Sequence, residues 1–386
     1  MDYSAARLTR RRLISGWTQV AAASCLLPSS LAWATDDSVA ITGRHSLKAN
    51  AGRHDLLTGF AVNTKLLTSD PAYARILAEQ ASILVPEVAL KWVPLRPAPD
   101  KFFFDPADSL VAFVEKHKIK LRGHTLVWHE AIPDWFASTV TSENAQRFLE
   151  DHIATVVGRY KGKMHSWDVV NEAVLPKDGR PDGLRNSVWM KLLGADYIEI
   201  AFRAARKADP HALLTYNDYG VEYDNDEDTE RRKFILQLLR CLKAANVPLD
   251  AHGIQSHIKA GSSAAIGKGI RDYMAAVRDL GLPIYLTELD VNEDDLPYDD
   301  IAQRDRAIAE TYRSFLDVTL AEPAVKAVLM WGVSDRHTWL NDGPTHKRKQ
   351  PNRPQRSLLF DSDYRPKADF FAVRDAMSHR PKATKT

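Results

Sequence analysis

The 386-residue chain carries 52 Lys and Arg against 50 Asp and Glu, a formal net charge of +2, with 45% hydrophobic and 26% charged residues. Those proportions are ordinary for a soluble globular protein, and so even a charge balance offers no general attraction to nucleic acid or to an acidic membrane surface. Of the two cysteines, Cys25 would leave with an N-terminal leader, so no intramolecular disulfide is expected of the mature chain.

Residues 1–34 read as an export leader. Thr9-Arg-Arg-Arg-Leu-Ile14 resembles a twin-arginine signal, which pairs two arginines with apolar residues just downstream. Ser15 to Leu31 is only mildly apolar and includes Gly16, Thr18 and Gln19, which is weak for a general secretory signal and too short and polar to span a bilayer. Ala32-Trp-Ala34 supplies the small residues a signal peptidase needs, predicting a mature start at Thr35 and a destination in the periplasm or outside the cell.

From about Asp55, short apolar runs alternate with amphipathic segments. Eight strands are predicted: Gly59–Asn63, Ser82–Pro86, Leu121–Trp128, Trp167–Asn171, Leu213–Asn217, Gly253–His257, Ile284–Glu288 and Ala327–Gly332. Between them lie helical periodicities such as Ala107–His117, Ser142–Tyr160 and Arg304–Leu320. Eight alternating units with right-handed crossovers predict an α/β fold, a single (β/α)8 TIM barrel over residues 35–386. Cys241 sits in the amphipathic run Phe234 to Leu242 and is expected to be a small core residue. The acidic run Asp224 to Glu230 reads as the exposed start of a helix, where negative charge suits the macrodipole. His346 to Arg356, a basic loop with prolines, reads as solvated surface.

In a parallel barrel, functional side chains gather at the C-terminal ends of the strands. Those ends carry Glu87, Lys91 and Trp92; His124, Trp128 and His129; Asn171 and Glu172; Asn217, Asp218 and Tyr219; Gln255 and His257; Glu288 and Asp290; and Trp331, with Trp339 following. Any one of these acids, taken alone, is more often a solvated strand end or a helix cap. Two carboxylates on two strand ends, Glu172 and Glu288, are what cleavage of a glycosidic bond needs, one giving a proton and the other acting as nucleophile or base. Tryptophans that pack on the C–H faces of sugar rings, beside side chains that bond hydroxyls, suit a carbohydrate.

Trp167-Asp-Val-Val-Asn-Glu-Ala173, Gly123-His-Thr-Leu-Val-Trp-His129 and Thr287-Glu-Leu-Asp290 resemble glycoside hydrolase family 10, the retaining endo-β-1,4-xylanases, over about Leu57 to Met377. The resemblance implies Glu172 as acid/base, Glu288 as nucleophile, and His257, held by Asp290, as the group that orients the nucleophile. It implies that Asn171 and His124 contact the sugar at the cleavage point, and that Glu87, Lys91 and Trp128 line the glycone side with Trp331 and Trp339. It implies Asn217 and Tyr219 on the leaving-group side; Gln255 belongs to the same substrate-binding rim. Neither a metal nor an organic cofactor enters this scheme. The expected partner is a polysaccharide, xylan or xylo-oligosaccharides, with no nucleic acid, no membrane after leader removal, and a monomeric state. One departure stands out: Glu87-Val-Ala-Leu-Lys-Trp92 has Val88 where the family pattern has an asparagine that bonds the glycone sugar. The alternatives are the same mechanism on short xylo-oligosaccharides or another β-glycan, or a polysaccharide-binding protein without turnover.

Overall fold

Nine parallel strands organise the computed structural model, which describes residues 41–343 and 346–380. In chain order they are β1 (Leu57–Val62), β2 (Ile83–Pro86), β3 (Lys120–Val127), β4 (Ser166–Asn171), β5 (Leu213–Asp218), β6 (Ala251–Ile254), β7 (His257–Lys259), β8 (Ile284–Asn292) and β9 (Val325–Met330). The sheet closes into one ring: β1 pairs with β9, Leu57 beside Ala327, and β6 pairs with β8, Gly253 beside Tyr285. Eight strands therefore form the barrel, and β7 is a short rider on the far end of β8. Helices connect successive strands, as the alternation predicts for a (β/α)8 barrel. The leader lies outside the described residues.

The strands are apolar runs because both faces are covered. One face packs outward against helices: Phe60, Val62, Leu84, Leu121, Trp167 and Leu214 belong to the large core between strands and helices. Alternate residues Ala61, Ile83, Val85, Ala251, Tyr285, Ala327 and Leu329 form a separate cluster inside the barrel. The interior is partly polar on the β3–β4 side. There the buried Arg122 guanidinium pairs with Asp168, bonds Ser166 at 3.1 Å, and lies 5.2 Å from the Tyr285 ring centre.

Three strands carry one residue more than the partner beside them shortly before their C-terminal ends. The slips fall between His124 and Val127 on β3, between Asp168 and Val170 on β4, and between Leu286 and Leu289 on β8. Such bulges re-aim the side chains that follow them.

Four expectations are corrected. The sixth predicted strand is two pieces, because Ser256 takes a left-handed φ of 68° and breaks the run. Cys241 is exposed: Ile235, Leu239 and Leu242 carry the buried stripe of the helix Asp226–Ala244, and Cys241, one position before Leu242, turns off it. The loop after the last strand is not solvated throughout. Arg353 is buried and donates to the carbonyls of Leu296, Tyr298 and Glu293, while Gln355 bonds Asp294 at 2.7 Å. The fourth correction, at Asn217, belongs to the site.

Candidate active site

A cleft of about 950 Å³ opens at the C-terminal ends of the strands. Twelve of the expected residues line it together: Glu87, Lys91, His124, Trp128, Asn171, Glu172, Tyr219, Gln255, His257, Glu288, Trp331 and Trp339. Asp290 and Asn217 lie behind that wall. Asp290 is buried and accepts from His257 Nδ1 at 2.8 Å and from Trp339 Nε1 at 2.7 Å. His257 Nε2 in turn stands 3.4 Å from Glu288 Oε2.

Asn217 was expected on the leaving-group side of the cleft. It is instead fully buried, donating from Nδ2 to Glu288 Oε1 and to Asn171 Oδ1, both at 2.8 Å, and accepting from Thr287 Oγ1 at 2.8 Å. Gly253 makes room for it: a Cβ there would fall 2.2 Å from Asn217 Oδ1. Thr287, the first residue of the Thr287-Glu-Leu-Asp290 stretch, is a member of this hydrogen-bond chain to which the motif alone assigns no role.

The two carboxylates sit in different surroundings. Burial pushes the Glu288 carboxyl up, but the His257 hydrogen bond and the charges of His124, His257 and Lys91 outweigh it and hold the group below the ordinary carboxylate value. For His257, burial favours the neutral ring, whereas Asp290 and Glu288 favour the cation and win, raising it well above an ordinary histidine. The outcome is an ionised carboxylate beside an imidazolium. Glu172 is held differently. Its Oε1 accepts from Gln255 Nε2 at 2.9 Å and Asn171 Nδ2 at 3.2 Å, while Oε2 lies 3.7 Å from His129 Nδ1 and 3.9 Å from Arg185 Nη2, beyond hydrogen-bond reach. Oε1 is therefore the hydrogen-bonded oxygen, and Oε2 is held by no hydrogen bond to a described residue.

The aromatic wall is tied to the same groups. Trp331 is only 7% exposed because one side packs on the barrel interior, yet it stands edge-on to His124 and His257 at 5.3 and 6.3 Å between ring centres. Lys91 Nζ lies 4.8 Å from the Trp128 ring centre and 5.9 Å from that of Trp331. His124 is anchored from behind, its Nδ1 at 3.1 Å from Asp168 Oδ2. Glu87, beside Lys91, is pushed up by burial and by Asp342, against the pull of the lysine. Val88, 49% exposed, is an apolar residue lining the cleft among these polar groups. Asn63, Arg336, His337 and Asp342 also line the cleft and carried no motif that sequence reading could single out.

The sequence profile of glycosyl hydrolase family 10 matches residues 46–376. The endo-1,4-beta-xylanase B of Thermotoga neapolitana is 32% identical over 340 residues, 87% of this chain and 92% of that protein. An endo-1,4-beta-xylanase A of Caldicellulosiruptor sp. (strain Rt8B.4) is 36% identical across 82% of this chain, which spans only 46% of that longer protein. Among solved structures, xylanase 10B of Thermotoga petrophila RKU-1 in complex with xylobiose superposes with a TM-score of 0.76 at 35% identity, covering 86% of this chain and 97% of that one. With the barrel, the paired carboxylates and these relatives in agreement, the chain belongs to glycosyl hydrolase family 10.

Proposed function

We propose that the protein is an endo-β-1,4-xylanase that cleaves internal xylosidic bonds by a retaining double displacement. The observation that carries this is the contrast between its two carboxylates: Glu288 clamped by Asn217 and His257, and Glu172 with one oxygen held and one free. Glu288 attacks the anomeric carbon. As the C–O bond to the leaving sugar breaks, its electron pair stays on that oxygen, which takes the proton from Glu172 Oε2. The glycosyl ester on Glu288 is then opened by water. Glu172, now a carboxylate, takes the water's proton, and the ester bond electrons return to Glu288.

In this reading His257 and Asp290 keep the nucleophile ionised and aimed, and Asn217 fixes its other oxygen. Asn171 and His124 face the sugar at the cleavage point; Glu87, Lys91, Trp128, Trp331 and Trp339 face the glycone, and Tyr219 and Gln255 the far side. A 2-fluoro-xylobioside trap followed by peptide mapping should label Glu288, and a label elsewhere would sink the assignment. Product profiles on xylan, carboxymethylcellulose and an aryl xylobioside, with Glu172→Ala and Glu288→Ala alongside, should show xylan cleavage lost in both variants. Wild-type protein that binds xylan without cutting it would instead indicate a binding protein.

Val88 favours a second reading of specificity: an apolar lining residue at this point suits short xylo-oligosaccharides or a different β-glycan better than it suits a tightly bonded glycone. The Arg10-Arg11 pair supports export in a folded state, consistent with a barrel that needs no disulfide. A fusion of residues 1–40 to a folded reporter should leave the cytoplasm, and replacing both arginines by lysine should retain it.

A further inference from the structure

We infer that Arg185 is a positioning residue for the acid/base, a strap that fixes the backbone of Glu172 and the ring of Tyr219 together; this rests on the reading of Glu172 as proton donor. Glu172 is a non-glycine residue with φ of 59°, in the left-handed region. Such a conformation is strained for a residue with a Cβ and persists only where its surroundings over-determine it. Both sides of this residue are tied. Its N–H donates to the Asn217 carbonyl at 2.9 Å, and its own carbonyl accepts from Arg185 Nε at 2.9 Å.

The rest of Arg185 reinforces the hold. Its backbone N–H donates to the Ala173 carbonyl at 2.7 Å, which ties the loop to the residue after Glu172. Its Nη2 donates to the Tyr219 hydroxyl at 3.1 Å and lies 3.9 Å from Glu172 Oε2. The planar fork of a guanidinium makes these bonds mutually dependent, a geometry one lysine ammonium cannot copy. Tyr219 is pinned from its other side by Arg231, whose guanidinium carbon sits 4.3 Å from the ring centre. The Arg185 side chain is 11% exposed and is not part of the cleft lining, so it acts on substrate only through Glu172 and Tyr219.

Gln255 and Asn171 fix only one carboxyl oxygen. The direction in which the proton-bearing oxygen points is then set by the backbone, and that is what Arg185 holds. Releasing the strap lets the left-handed residue relax and carries Oε2 away from the leaving oxygen. Glu288 does not contact Arg185, so the attack itself is left intact.

The test uses leaving groups that differ in their need for a proton. Xylotetraose loses a sugar alkoxide and requires protonation; 2,4-dinitrophenyl xylobioside loses a stable phenolate and does not. With Arg185→Met, kcat/KM for xylotetraose should fall about 10- to 100-fold, the cost of a misplacement on the order of 1 Å. On the dinitrophenyl substrate the same variant should lose less than about threefold, the loss on xylotetraose falling chiefly on kcat. Arg185→Lys, able to reach the Glu172 carbonyl but not Tyr219 as well, should recover part of the loss, and it carries the comparison if the methionine variant does not fold. Glu172→Ala, run in parallel, should show the same selectivity more strongly. Equal losses on both substrates, a change in KM alone, or no loss would each overturn the role of Arg185 while Glu172→Ala still behaves as a missing acid. If Glu172→Ala itself shows no dependence on the leaving group, the assignment of the proton donor fails instead.

Discussion

Replacing His257 by glutamine should move the acid limb of the pH profile upward while leaving activity near neutrality largely intact. His257 Nε2 lies 3.4 Å from Glu288 Oε2, where an imidazolium–carboxylate pair is worth about 5 kcal/mol at an effective dielectric of ~20. The His257 side chain is 26% exposed, and halving the attraction for that screening leaves about 2.5 kcal/mol in favour of the ionised nucleophile. The sign follows from the chemistry. Glu288 attacks only as the anion, and in the native protein His257 holds it below the ordinary carboxylate value. Without the cation Glu288 protonates at higher pH, so the variant should lose kcat/KM by up to about 50-fold at the acid end of the profile, the factor that about 2.5 kcal/mol gives, and progressively less toward neutrality. The assay is kcat/KM for an aryl xylobioside from about pH 4 to 9. A loss of the same size at every pH would refute the electrostatic role and leave His257 as packing.

Three further outcomes follow from the geometry. Val88→Asn adds a donor and acceptor to the cleft lining and should lower KM for xylotriose about fivefold, the worth of one hydrogen bond of about 1 kcal/mol, with kcat little changed; Michaelis–Menten kinetics decide it. Gly253→Ala drives a methyl toward Asn217 Oδ1, 2.2 Å away, and should cost about 1–3 kcal/mol of stability by urea unfolding and reduce kcat through the displaced Asn217–Glu288 bond. Lys367→Met removes the cation between buried Asp369, at 2.7 Å, and buried Asp335, at 3.1 Å, and should destabilise the protein by about 3–5 kcal/mol in thermal or urea denaturation.

Sequence reading located the strands well because a parallel barrel buries both faces of each strand, so the apolar runs Ile83–Pro86 and Val325–Met330 announce themselves within a residue or two. The carboxylates were found because Trp167 to Ala173 and Thr287 to Asp290 are distinctive stretches. Asn217 was misread because a strand-end asparagine looks the same whether it faces a ligand or a neighbouring strand; only the closure of β4, β5 and β8 around it decides. Arg185 carried no signal at all. Its partners are a backbone carbonyl and a hydroxyl 13 and 34 positions away, and main-chain acceptors leave no mark in side-chain pattern. Arg353 escaped for the same reason, since its three acceptors are carbonyls.

The extra residue on β3, β4 and β8 divides the barrel into two tiers under different rules. A one-residue slip exchanges the faces of a strand, so alternation read upward from Arg122, Ser166 or Tyr285 gives the wrong orientation above the slip. Below it, a substitution is judged by volume and by the Arg122–Asp168 pair; above it, by what it does to Trp128, Asn171 and Glu288. The lower tier is a foundation that could be kept whole while the upper one is rewritten. A chimera joined at these three slips would inherit its stability from one parent and its chemistry from the other, whereas junctions placed a residue to either side would turn the carboxylates into the wall.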